Sequence, residues 1–293
     1  MDRRSFIRVL GIVSLFHSSL VKNLFAAEGP VVAVAEGNDP AMITRNAINK
    51  LGGMKRFVKS GDIVVVKPNI GWDRNPDQAA NTNPLVVKAI VEEALRAGAK
   101  KVKVFDRTCN DARRCYVNSG MEAALKGMRN VEFKHIENER FKKVAINGKA
   151  LSERELYSEA LNADVFINVP VAKHHGLTRL TLGLKNVMGV MGGNRGSIHK
   201  NIDNSLADIN SVLKSHLVVI DATKVLTAHG PQGGDLGDVK KLNKVIASTD
   251  IVAADAYATT LFGLKPEDIS VTVAASKRGL GEINLKKVRI VKA

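Results

Sequence analysis

The chain has 293 residues, 45% hydrophobic and 25% charged, which is enough apolar material to bury a full core as one large domain or two small ones. Basic side chains exceed acidic ones by 15, and setting residues 1–27 aside still leaves 40 against 28, so an anionic partner is expected. One Trp, three Tyr and nine Phe, scattered among apolar runs without a helix-turn-helix or RNP-like signature, argue against a nucleic-acid track and for a small anionic ligand at a local basic cleft.

The first residues read as an address. Arg3-Arg4-Ser5-Phe6 precedes a mostly apolar stretch from Val9 to Leu24, closed by Ala26-Ala27. This resembles a twin-arginine signal, which implies the twin-arginine export machinery as a partner, a periplasmic location and export of an already folded protein. Lys22 and His17 interrupt the apolar stretch and Phe25 stands where a small residue is preferred. An uncleaved segment would act as a membrane tether. Residues 1–29 are thus assigned to the signal-like segment and 30–293 to a single α/β domain.

From Pro30 onward strands and helices alternate. Val31–Ala35 reads as a strand, Ala41–Leu51 as a helix ended by Gly52-Gly53, and Ile63–Val66, apolar on both faces, as a buried central parallel strand. Asn83-Pro84 opens a helix running to Ala97 with Gly98 as its terminator. A strand at Lys101–Phe105, a helix at Glu122–Lys126, a strand at Val131–Ile136 and a hairpin turning at Asn147-Gly148 follow. Glu153–Leu161 is expected as a helix and Val165–Val169 as a strand. Beyond these come helix Ser205–Lys214, strands Leu217–Ile220 and Val245–Ala247, helices Asp250–Phe262 and Pro266–Ser276, and a last strand at Val288–Val291. The expected fold class is α/β: a mostly parallel sheet flanked by helices, with a Gly-rich inserted loop.

Ligands of such folds gather beyond the carboxyl ends of the strands. Lys67-Pro68-Asn69, Asp106-Arg107, Pro170 to His175, and Asp221 each follow a predicted strand. The richest stretch, Asn168–Lys200, holds three His, three Lys, two Arg and three Asn without one Asp or Glu, and reads as a binding surface rather than a core. Lys173 and Lys185 can grip phosphate or carboxylate or form a Schiff base. His175 and His199 can serve as acid and base or ligate a transition metal; of the adjacent His174 and His175, which point to opposite sides of an extended segment, His175 is assigned to the site. Met188–Gly196 offers backbone N–H groups to an anion, with Arg195 as a bidentate clamp, but it is neither a Walker loop nor a Rossmann fingerprint. Asp250 reads as a helix cap, and Asp255, set among alanines, as a buried acid in need of a partner. Trp72 reads as a pocket wall or a packing residue, and the pair Cys109 and Cys115 receives no catalytic role.

Taken together, Pro170-x-x-Lys173-x-His175, Leu184-Lys185-Asn186-x-x-Gly189, Arg195, His199, Asp221, Gly230-Pro231-x-Gly233, Ala247-Ser248-x-Asp250 and Ala254-Asp255-Ala256 resemble the family known as domain of unknown function 362 over roughly residues 60 to 290. The resemblance implies an α/β domain, sometimes fused to ferredoxin-like iron-sulfur modules, without a settled activity. With two cysteines the chain cannot supply a four-cysteine set, so an intrinsic ferredoxin-type cluster is not expected. Lys-x-His and Lys-Asn-x-x-Gly are also distantly similar to the nickel-pincer lactate racemases, which implies a lysine and a histidine holding an organometallic cofactor.

The functional expectation is an exported enzyme, dependent on a transition metal or metallocofactor, acting on a small anionic substrate. Lys173, His175, Lys185 and His199 are the expected catalytic residues; Lys67, Asn69, Asn186, Gly189, Arg195, Asp221 and Asp255 are the cofactor-binding ones, and His175 and His199 the metal ligands. The alternative is a non-catalytic protein of a periplasmic redox system that binds a metal, a metallocofactor or an anion.

Overall fold

The computed structural model describes residues 29–293. The twin-arginine reading and the tether that goes with it fall on residues 1–28, outside the described residues. No helix among the described residues is long and apolar enough to cross a membrane.

The strands in chain order are β1 (Val31–Glu36), β2 (Ile63–Pro68), β3 (Lys101–Val104), β4 (Val131–Phe133), β5 (Phe141–Ala145), β6 (Glu153–Tyr157), β7 (Val165–Val169), β8 (Val171–His175), β9 (Arg179–Thr181), β10 (Leu217–Leu226), β11 (Val239–Ser248) and β12 (Arg289–Lys292). The main sheet has the order β12-β1-β11-β10-β7-β2-β3-β4, with β8 paired to β10 and β9, while β5 and β6 form a separate two-stranded sheet. β2 runs parallel to both β3 and β7, and β10 runs parallel to β7 and β8. β11 lies antiparallel between β1 and β10. The sheet is therefore mixed but mostly parallel, flanked by helices, as expected.

The reason lies in burial on both faces. Val64 and Val66 of β2 pack beneath the helices Pro40–Lys50 and Pro84–Ala97, while Val65 packs on the other face with Phe105 and Phe166. The continuous apolar run suits a strand enclosed by neighbours on all sides. Helix Pro84–Ala97 begins where the Asn83 side chain accepts from the Leu85 N–H, and it ends at Gly98, whose φ of 109° closes the last turn. The helices Ile202–Val212, Ile251–Thr260 and Ser270–Lys277 cover the opposite face.

Several local expectations need correction. The expected helix Glu153–Leu161 is strand β6 followed by one helical turn, Ser158–Leu161, because β6 finds an antiparallel partner in β5. Long-range pairing overrides the local preference there. The hairpin loop is longer than a two-residue turn: the Ile146 N–H reaches the Ser152 carbonyl at 2.8 Å, and Asp208 accepts the N–H groups of Lys149, Ala150 and Leu151. A helix missing from the sequence reading, Ala112–Asn118, is capped by Asp111 and buries Cys115. Pro266–Ser276 splits at Ile269 into a 3-10 turn and the helix Ser270–Lys277. The stretch Asn168–Lys200 is also core: Leu184, Val187, Val190 and Met191 are fully buried, and the Gly-rich segment packs as a cleft wall.

Candidate functional site

The carboxyl ends of β2 and β3 and the segments that follow them, with β8, β9 and the segment from Lys185 to His199, enclose a cavity of about 570 Å³. Its walls include Lys67, Asn69, Lys173, His175, Lys185, Asn186, Gly189, Arg195 and His199, so nine of the predicted site residues converge.

At the floor, Lys67 lies 2.9 Å from Asp106, both almost fully buried. Lys67 also donates to the backbone carbonyl of Asn186 at 2.5 Å and to its side-chain oxygen at 2.9 Å. Burial lowers the Lys67 pKa, and Asp106 works against that shift. The Asn186 amide in turn donates to the Lys67 carbonyl and to Asn168 Oδ1 on β7. Asp106 is missing from the predicted site set, although its place directly after a strand was the signal for it.

The Lys173 ammonium, 1% exposed, donates to the carbonyls of Ala80 at 2.5 Å and Pro231 at 3.0 Å and faces Asn69 Oδ1 at 3.4 Å. Burial, then the charge of Lys185, pushes its pKa down to about 7. The three oxygens, one for each N–H of the ammonium, oppose that shift, so Lys173 is held in place by its acceptors and carries its charge mainly below about pH 7.

Lys185 is different. It is half-buried at the cleft, its pKa is pushed down from the ordinary 10.5 to about 8 chiefly by burial, and its hydrogen-bond partner is the Met188 thioether at 3.4 Å. No oxygen holds its proton.

In His175, Nδ1 accepts the Leu177 N–H at 3.0 Å. A backbone amide can only donate, so the ring proton sits on Nε2. Burial and the charges of Lys185 and Lys173 push the ring's pKa down to about 3, so it is neutral at physiological pH. His175 is thus an N–H donor at the cleft rather than a proton shuttle, and its free lone pair is already taken. His174 points elsewhere, as expected: its Nδ1 accepts from Gly230 N at 3.1 Å.

Arg195 lines the cleft, but its guanidinium donates to the carbonyls of Arg107 at 2.7 Å and Thr108 at 2.6 Å. Arg107 answers by donating to the carbonyls of Met191 at 2.8 Å and Gly193 at 3.0 Å. The two arginines clasp the segment after β3 to the Gly-rich segment, so the predicted bidentate anion clamp is used structurally.

Two predicted cofactor-binding acids lie outside the cleft lining. Asp221 accepts from Asn83 N, Thr223 N and the Thr223 hydroxyl and so pins the start of helix Pro84–Ala97. Asp255 accepts the N–H groups of Gly183 and Leu184 at 2.8 and 2.9 Å, anchoring the turn that carries Lys185 and Asn186, and burial pushes its pKa up to about 7. Both answer to unpaired backbone donors instead of a ligand. Asp250 caps its helix by accepting from Ala253 N, as the sequence suggested.

Trp72, Met188 and Pro231 supply the apolar part of the wall, and the exposed thiol of Cys109 stands at the cleft as well. Cys109 and Cys115 are both free.

Gly189 is the glycine the site cannot replace. A Cβ there would overlap the Asp106 carboxylate outright and come within 2.5 Å of Lys67 Nζ. Gly189→Ala is expected to cost about 3 kcal/mol, by overpacking and by prising the buried pair apart, read as a lower denaturant midpoint at unchanged slope.

A metal ion held by side chains alone does not fit this cleft: among the described residues no three His, Cys, Asp or Glu converge, and the His175 lone pair is engaged. A metallocofactor that carries its own donors fits better, with the exposed His199 ring and the Cys109 thiol as the side chains able to take it.

A family model described as Domain of unknown function (DUF362) matches residues 64–260. A curated relative, the Thylakoid-associated protein sll1697 of Synechocystis sp., is 28% identical over 244 residues, covering 80% of this chain and 74% of that protein. Among solved structures, the lactate racemase apoprotein from Thermoanaerobacterium thermosaccharolyticum is similar with a TM-score of 0.51 at 12% identity, over 78% of this chain and 56% of that one. That likeness is one of fold, and the present chain spans little more than half of that structure.

Proposed function

The chain belongs to the DUF362 family, and we propose that its cleft is the active site of an enzyme acting on a small anionic substrate, exported to the periplasm by the twin-arginine machinery. Lys185 carries the reading. Lys67 and Lys173 have oxygen acceptors around them, whereas Lys185 faces the cleft with a thioether as its partner and a pKa near 8. An amine poised near neutrality is suited to general acid catalysis, giving its proton to an oxygen of the substrate and regaining it from water.

The other residues have supporting parts. Lys173, held by three oxygen acceptors, and the Lys67–Asp106 pair form a rigid floor, and the neutral His175 ring offers its Nε2–H to a substrate oxygen. Trp72 and Met188 exclude water from one side of the bound molecule. A metallocofactor with its own donors, taken up by His199 and Cys109, would supply electrophilic or redox chemistry beside these groups. Export is supported by the order Arg3-Arg4-Ser5-Phe6, and an uncleaved signal would leave the protein tethered to the membrane.

The test begins with an NMR titration of protein labelled at the lysine ε-carbons, assigned through Lys185→Arg. The Lys185 signal is expected to titrate near pH 8, well below an ordinary lysine. Short carboxylates and phosphates are then screened for turnover. A Lys185 midpoint above pH 10 would remove the basis for the proposal, and stoichiometric anion binding without any turnover would assign the cleft to a binding protein instead.

A further inference from the structure

The cleft's cations are satisfied in their hydrogen bonds but not in their charge. Lys67 is neutralised by Asp106, the one carboxylate among the described residues that line the cavity. The remaining four, Arg107, Lys173, Lys185 and Arg195, meet carbonyl oxygens, an asparagine oxygen, a thioether sulfur or, for Arg195, also the Cys109 sulfur at 3.9 Å. A carbonyl can accept a hydrogen bond from a cation, yet it leaves the full positive charge in place.

The surroundings do not cancel that charge. Arg107 is influenced by Arg195, Arg154, Glu155 and Cys109, and of these Arg154 and Glu155 offset each other. Lys185 feels Cys109, Arg195 and Lys67, and the charge of Lys185 reaches Lys173 and His175 in turn. His199 also lines the cleft and adds no negative charge. Arg107, Arg195 and the protonated Lys185 thus put three positive charges into one partly desolvated cavity, and Lys173 adds a fourth where it is protonated, below about pH 7. Holding them together is unfavourable unless an anion of matching charge sits among them.

We propose that the ligand of this cleft is a small dianion, carrying two negative charges on a phosphate-like group or on two carboxylates, rather than a monocarboxylate. The inference rests on the small-anion reading and sharpens it. Two opposing charges lower the repulsion among four cations far more than one does, and the apolar wall of Trp72, Met188 and Pro231 accommodates a short carbon skeleton beside them.

Binding is then linked to protons. A dianion favours the ammonium form of Lys185, so its affinity is full below about pH 8 and declines above it as that amine loses its proton.

The experiment is calorimetry on the purified protein at constant ionic strength, comparing sulfate, succinate and acetate. Sulfate keeps its charge from pH 7 to 9, so any pH dependence belongs to the protein. At least one dianion is expected to bind about tenfold or more tightly than acetate, and its affinity to fall about tenfold between pH 7 and 9. In Lys185→Gln the affinity drops and the fall between pH 7 and 9 shrinks to the part that Lys173 contributes. Sulfate preferred over succinate identifies a phosphate-like group, and the reverse identifies two separated carboxylates; either supports the proposal. Acetate binding as tightly as both dianions overturns the dianion and leaves the small-anion reading standing. Binding that is flat with pH overturns the role of Lys185 in it, and no binding of any anion overturns both readings.

Discussion

Lys185→Ala is expected to lower kcat by about 10²- to 10⁴-fold on whatever substrate the cleft turns over, the usual contribution of a positioned general acid. The substitution removes the one cleft amine whose proton no oxygen holds. It leaves the Lys67 and Lys173 cages intact, so the fold should survive. The pH profile separates this role from simple charge. In the native protein kcat/KM should be highest below about pH 8 and fall above it as the acid is lost, whereas in Lys185→Arg, protonated at every working pH, that upper limb should vanish together with most of the rate. A kcat unchanged in Lys185→Ala, with only KM raised, would reduce Lys185 to a binding charge.

Asp106→Asn is expected to destabilise the protein by about 3–5 kcal/mol, because it removes the counter-ion of a buried lysine. Asn keeps the shape and can still accept the Ile70 N–H that Asp106 Oδ2 takes at 2.7 Å, so the loss reports charge rather than packing. Lys67 relieves part of the cost by giving up its proton, since burial already lowers its pKa. The sign of the pH effect follows. In the variant the folded state binds Lys67's proton more weakly than the unfolded chain, so the deficit should shrink as pH rises toward 10.5, where the unfolded chain loses that proton too. Lys67→Met combined with Asp106→Asn should recover much of the loss in urea unfolding. A double variant as unstable as the sum of the two single ones would show that the pair is not coupled.

The position of the cleft was legible in the sequence because the elements that build it declare themselves locally. The four-residue apolar run Ile63–Val66, the Asn83-Pro84 start with its Gly98 stop, and Asp250 before an alanine-rich helix all fold as read. Strand ends follow once strands are placed, and Lys67, Asn69, Lys173 and His175 stand at strand ends or on the strand beside them. Gly189 could be singled out by its motif, but its reason could not: the atoms its missing side chain makes room for belong to Asp106 and Lys67, far away in the chain.

What each polar group does was decided by the tertiary structure. Asp221 and Asp255 looked like ligands of a basic cleft and serve backbone N–H groups instead, because a buried acid takes the nearest unpaired donors. Arg195 looked like an anion clamp and is spent on the carbonyls of Arg107 and Thr108. β6 read as helix until β5 paired with it. The sequence by itself determined the α/β alternation, the family and the basic stretch, since periodicity, caps and composition act over a few residues. Only the folded chain decided that Lys67 is neutralised, Lys173 caged, His175 fixed as a donor and Lys185 left free, because charge and proton affinity depend on burial and on partners that the chain brings together from a distance.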